Sequence, residues 1–242
     1  MPITQAFTTV LRKNVPYFRS TPEHYLSLSA LERPLVVNGQ GAVHNRTGGR
    51  YNYPGALTVY LAETVEVCLA ERMFYFQREV LQSLDTRHIP GFRVPPSFTQ
   101  SFVIWEITFK SDVVDILDLT VASASQYNII PALIHNPSQD YWHLQDSRAT
   151  IQSNGYFGLR APSSRSIGGG HLLALFTDQS RNVRKIKPHK AEFRLVTPQP
   201  GSVPFVNHAT QLLDFSTGEV QIAGNPGGLS TWNEFTRLPF NH

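Results

Sequence analysis

One cysteine, Cys68, stands in a chain of 242 residues. It excludes an intramolecular disulfide and any zinc site built on several cysteines, and its apolar helical setting predicts a small buried hydrophobe. Charge is scarce as well. Asp, Glu, Lys and Arg make up 16% of the chain, and the net charge is +3. That is too little to imply a nucleic-acid partner, which needs a concentrated basic face. No run approaches the roughly 18 apolar residues that span a membrane, and the opening "MPITQAFTTVLRKNVPYF" lacks an apolar leader. The expectation is a cytoplasmic, soluble protein without membrane contact. The nine histidines show no ligand spacing on one helix, so no metal is expected.

What is present suits a packed domain. Apolar residues reach 41% and aromatics 11%, enough for a sizeable core. There is no internal repeat. Residues 22–32 could form a short helix, and 33–56, rich in Gly, Asn and Pro, read as loop and turn. A strand is expected at 57–61. A helix capped by Thr64 should then run from about 65 to about 81. Further strands are expected at 101–109, 113–119, 171–176, 191–197 and 219–223, with a helix over 141–155 ending at Gly155. This mixture is α+β rather than a regular alternation. The organisation expected is a core over 1–178 and an irregular C-terminal extension over 179–242 packed on the same domain.

Three stretches carry candidate chemistry. On the 65–81 helix, Glu71 has Val67, Cys68, Phe74 and Tyr75 as helical neighbours, none a cation. Its partner must come from elsewhere in the fold or from a ligand. The neighbours alone favour a structural ion pair with Arg50 or Arg19. In "RTGGRYN" two glycines allow a tight turn from which Arg50 projects, with a fork suited to phosphate or carboxylate; a solvated turn is the plainer reading. Tyr60, at the end of the next strand, could stack on a heterocycle or simply fill the core. In "GLRAPSSRSIGGGH" (158–171), a Pro-Ser-Ser-Arg turn and three glycines offer N–H groups and hydroxyls to an anion, though a surface loop is the simpler reading. The basic "RNVRKIKPHK" (181–190), with no interleaved aromatics, reads as a solvated loop, with nucleic-acid contact the lesser alternative.

Taken in order, these motifs resemble the RES-domain family. The aromatic-Arg pair is "YFRS" with Arg19, and the GGR-aromatic-Asn turn is "GGRYN". The Tyr-bearing strand is "VYLAET" with Tyr60, and the Ala-Glu pair is "LAER" with Glu71. The Pro-Ser-x-Arg turn is "APSSRSIGGGHLLALF" with Ser163, or Ser164 in a shifted register. Tyr51 stands where Trp is common in the family.

The resemblance spans about 15–178 and implies an ADP-ribosyltransferase-like split antiparallel sheet with flanking helices. It implies an NAD-consuming, toxin-like glycohydrolase or phosphorylase, with NAD as substrate and no other cofactor. A cognate Xre-type antitoxin is the implied partner, and homo-oligomerisation is left open. In this reading Arg19 and Arg50 hold phosphates or ribose, Tyr60 shapes the nicotinamide pocket, Glu71 favours cation development and Ser163 makes a polar contact. The alternatives are a nucleotide-binding module without turnover and a protein ADP-ribosyltransferase.

Overall fold

The computed structural model describes residues 7–23, 49–54, 56–72, 99–119, 127, 129, 142–163, 170–177, 179–196, 205–207, 212–214 and 219–223. The expected helix at 22–32 falls almost wholly outside them. The chain forms two compact units. The first comprises Met1–Arg19, Tyr25–Glu71 and Trp105–Lys187. The second comprises Ser20–His24, Arg72–Ile104 and Pro188–His242.

In chain order, the elements that build the first unit, wholly or in part, are β1 (Thr8–Leu11), β2 (Tyr17–Pro22), β3 (Val59–Ala62), a helix α1 (65–72), β4 (Thr99–Phe109), β5 (Val113–Asp118), α2 (Trp142–Ser153), β6 (Gly158–Pro162), β7 (His171–Leu175) and β8 (Val183–Val196). Strands here follow the order β1-β5-β6-β7-β3-β2. Among the described residues β1 with β5, β6 with β7, β7 with β3 and β3 with β2 pair antiparallel, whereas in β5 with β6 Ile116, Leu117 and Asp118 run parallel to Gly158, Leu159 and Arg160. The α+β expectation therefore holds, with one parallel pair inside the sheet.

Strand alternation sets which side chains meet. Tyr60 lies opposite Ala174, and Ala174 opposite Leu159. This face is covered by α2 through Leu144 and Ile151, which share one buried cluster with Leu117, Leu159, Ala161, Ala174 and Phe176. Tyr127 and Tyr156 close the cluster edge to face, with their hydroxyls 3.3 Å apart. Burial, helped by that contact, pushes the Tyr127 hydroxyl up to about 12. α2 also fixes the start of β3. Arg148 donates to Thr58 Oγ1 at 2.7 Å and to the Leu57 carbonyl at 2.9 Å, and its guanidinium lies 4.6 Å from the centre of the Phe176 ring. Burial lowers the Arg148 pKa from its ordinary value.

In the second unit β11 (Glu219–Ala223) pairs antiparallel with β8, from Glu219 opposite Val196 to Ala223 opposite Glu192. Residues β9 (Phe205–Asn207) and β10 (Leu212–Asp214) form an antiparallel pair of their own where irregular chain was expected. Arg72 stands 5.8 Å over the Phe102 ring, and Lys190 pairs with Glu23 at 3.0 Å.

Two loop expectations are overturned. Residues 158–162, read as part of a surface loop, form β6, because Leu159 and Ala161 alternate into the core between two partner strands. Residues 183–190, read as a solvated loop, form the first part of β8. There the basic side chains reach solvent from a paired backbone while His189 and Ala191 are buried. Ladder hydrogen bonds, which composition does not reveal, outweigh the charge.

Candidate active site

The GGRYN turn is closed by its ends. The Gly49 N–H donates to the Asn52 carbonyl at 3.1 Å and to Asn52 Oδ1 at 3.2 Å, and the Asn52 N–H returns to the Gly49 carbonyl at 3.4 Å. The Tyr60 hydroxyl locks it from β3, donating to Asn52 Oδ1 at 2.7 Å and accepting the Tyr51 N–H at 2.8 Å. Gln145 of α2 donates to the Gly49 carbonyl at 2.8 Å. A Cβ on Gly49 would sit 2.6 Å from Asn52 Oδ1 and 2.7 Å from the Tyr60 hydroxyl, so only glycine fits there. Arg50 and Tyr51 form the tip and are both buried.

The helix bearing Glu71 begins as its sequence implies. Thr64 Oγ1 accepts the Val67 N–H at 3.3 Å, and the Thr64 carbonyl accepts the Cys68 N–H at 3.2 Å. Val65, Val67, Cys68 and Leu69 are all buried, as a helix apolar on two sides requires. Cys68 is the small buried residue expected. The helix is described to residue 72; its expected continuation lies outside the described residues.

Helix α1 packs tightly on the start of β7. Gly170 has φ 109°, and a Cβ there would lie 2.4 Å from Val67 Cγ2. The Gly170 carbonyl accepts the Ser163 N–H at 2.9 Å. Ser163, buried at the end of β6, then donates its hydroxyl to Glu71 Oε1 at 2.9 Å. The fold therefore joins Ser163 to Glu71, and Tyr60 to the Arg50 turn. Arg19 is buried on β2, where Phe18 pairs with Ala62. By alternation it falls on the face of Leu61 rather than that of Tyr60.

Sequence reasoning missed four side chains next to this set. Arg160 of β6 grips Glu63 with both arms, Nε to Oε1 at 2.6 Å and Nη2 to Oε2 at 3.0 Å, while its Nη1 donates to Asp118 Oδ2 at 3.0 Å. These partners raise the Arg160 pKa, with the Glu63 hydrogen bonds the largest cause. His171 Nδ1 lies 2.7 Å from Arg160 Nη2 and 3.0 Å from Glu63 Oε2, so it accepts from the first when unprotonated or donates to the second when protonated. The cluster ties down the segments carrying Ser163 and Glu71. Arg160 stands three residues before Ser163, Glu63 just before the Thr64 cap, and His171 just after Gly170. The available signal was an arginine inside the otherwise apolar "GLRAP".

A family model described as RES domain matches residues 19–197. The chain belongs to the RES-domain family. The matched range holds Arg19, Arg50, Tyr60, Glu71 and Ser163, and also the Arg160 cluster. Among solved structures, the chain is similar to one in the crystal structure of the M. tuberculosis MbcT–MbcA toxin–antitoxin complex. Identity is 16%, with 75% of this chain and 86% of that chain covered and a TM-score of 0.45. A comparison with curated proteins finds no match. Among the described residues no helix is long and apolar enough to cross a membrane.

Proposed function

We propose that this RES-domain protein cleaves the nicotinamide–ribose bond of NAD, as a toxin-like glycohydrolase or phosphorylase. The observation that carries the reading is the Ser163–Glu71 hydrogen bond at 2.9 Å. It joins two motifs far apart in the chain, both within the family match.

Bond cleavage develops an oxocarbenium-like ribose, as in glycoside chemistry. Nicotinamide leaves as a neutral molecule with the bonding electrons and needs no proton. The task is then to hold the diphosphate and ribose and to stabilise positive charge. Glu71 carries the negative charge for the anomeric carbon and an acceptor for ribose hydroxyls, and Ser163 fixes the carboxylate's orientation. Arg50, on a turn locked by Tyr60, offers its fork to phosphate; Arg19, which alternation places on the opposite face of the sheet from Tyr60, takes no part in this set. The Tyr60 ring serves the nicotinamide end while its hydroxyl holds the turn. Water or phosphate then captures the ribosyl cation. An enzyme that destroys NAD harms its own cell unless covered, so a cognate antitoxin is the partner we propose.

Incubation of purified protein with NAD, followed by chromatography, tests the reading. Nicotinamide should appear, with ADP-ribose if water is the acceptor and its 1-phosphate if phosphate is. No nicotinamide at high protein concentration, with and without phosphate, would leave a nucleotide-binding module.

A further inference from the structure

Three turns of the first unit meet at one end of its sheet and carry the exposed cations among its described residues. The first, between β1 and β2, holds Arg12 and Lys13. The second, between β4 and β5, holds Lys110. The third, a 3-10 turn over Ser180–Asn182 and the start of β8, holds Arg181, Arg184 and Lys185.

Their meeting is fixed by hydrogen bonds. The Lys110 N–H donates to the Asn182 carbonyl at 2.7 Å, and Lys110 Nζ donates to the Arg181 carbonyl at 3.0 Å. Asn182 Oδ1 accepts from the Ser111 N–H at 3.1 Å and from its hydroxyl at 2.7 Å. The Asn14 N–H donates to the Phe109 carbonyl at 3.2 Å, and Arg184 donates to Asn14 Oδ1. Asn14 itself holds φ 61°, a conformation Asn tolerates better than most residues. The cations therefore stand on a braced platform.

Among the described residues of these turns the one carboxylate is Asp112. It takes the Lys13 N–H at 2.7 Å and lies 3.3 Å from Arg12, whose side chain is 70% exposed. Six exposed cations against one carboxylate leave a surplus larger than the +3 of the whole chain. The weak net charge thus conceals the concentrated basic face that composition argued against.

We infer that this end of the sheet binds the phosphate backbone of a duplex nucleic acid. Two features favour phosphate over an acidic protein. Protein interfaces deplete lysine and centre on aromatic anchors, whereas half of these cations are lysines and the exposed large hydrophobic among them is Val15. No exposed aromatic side chain stands among the described residues of these turns, which removes the stacking platforms that single strands use. Backbone contacts of this kind position a duplex without reading its sequence.

The test is fluorescence anisotropy of the full chain with a labelled mixed-sequence DNA duplex, titrated at several salt concentrations. Affinity should fall linearly on a log–log plot, each neutralised phosphate adding about −0.9 to the slope, with a ceiling of roughly −5 for six contacts. A Lys13→Ala, Arg181→Ala, Lys185→Ala triple variant should bind roughly tenfold or more weakly, and its slope should shrink by about 2.7. Lys190→Ala, in the second unit and paired with Glu23, should match wild type. A circular dichroism melt confirms that the variants are folded. Absence of duplex binding at low salt, a wild-type slope near zero, or an unchanged slope in the triple variant would overturn the inference. So would tighter binding of a poly-glutamate peptide than of the duplex, which would point to an acidic protein.

Discussion

The Ser163 hydroxyl donates to Glu71 Oε1 at 2.9 Å, across 92 positions of sequence. Ser163 is buried at the end of β6, and its own N–H is fixed by the Gly170 carbonyl. The carboxylate is thus aimed by a group with little freedom of its own.

Ser163→Ala should therefore affect chemistry more than stability. Loss of one hydrogen bond to a charged acceptor costs about 1.5–3 kcal/mol at most, and less where water can replace the hydroxyl. If Glu71 acts on the ribose, nicotinamide release in a single turnover should fall roughly tenfold, the scale of about 1.4 kcal/mol in the barrier. Unchanged turnover together with a lowered Tm would make the bond purely structural.

Tyr60→Phe separates the ring from the hydroxyl. The ring stays, but the buried Tyr51 N–H loses its acceptor and Asn52 Oδ1 one of its two donors, the Gly49 N–H remaining. A loss of about 1–3 kcal/mol is expected in urea unfolding. NAD affinity should also weaken, because the turn that aims Arg50 loosens. Wild-type stability would show that the turn holds without its β3 anchor.

Arg160→Lys keeps the charge but cannot grip Glu63 with two arms while reaching Asp118. The side chains of Arg160 and Glu63 are 19% and 29% exposed, so solvent screens part of the loss. About 1–3 kcal/mol is expected rather than the full cost of breaking a buried pair. Urea unfolding measures it, and an unchanged midpoint would mean that the cluster does not brace β3, β6 and β7.

Asp112 gives a pH dependence of known sign. The Lys13 N–H, with help from Arg12, lowers its pKa below the ordinary 3.8. A depressed folded pKa gives stability that is present above the ordinary value and lost as pH falls through the folded one. Melting curves below about pH 4 should therefore be flatter for Asp112→Asn than for wild type. Parallel curves would remove Asp112 from acid unfolding.

Much of the fold was legible where local pattern decides. The Thr64 cap, the helix over Trp142–Ser153 and strands β4, β5, β7 and β11 follow from periodicity and capping chemistry. What escaped depends on pairing. "GLRAP" is too short and turn-like to read as a strand until β5 and β7 flank it. "VRKIKPHK" looks soluble until its backbone is paired. The motif residues of the site could be picked out one by one, but not their partners. Nothing local says that Ser163 meets Glu71, that the Tyr60 hydroxyl is spent on the Asn52 turn, or that Arg160 gathers Glu63, Asp118 and His171. Those contacts join residues on different strands, and single-sequence periodicity carries no term for them.

The most direct measurement is single-turnover nicotinamide release by Glu71→Gln, beside thermal melting and NAD binding on the same preparation. The substitution keeps size and an acceptor for the Ser163 hydroxyl but removes the charge. The variant should fold, bind NAD and lose roughly a hundredfold or more in turnover, the scale of removing one electrostatic stabiliser. A folded variant that releases nicotinamide at the wild-type rate would contradict the proposed role of Glu71.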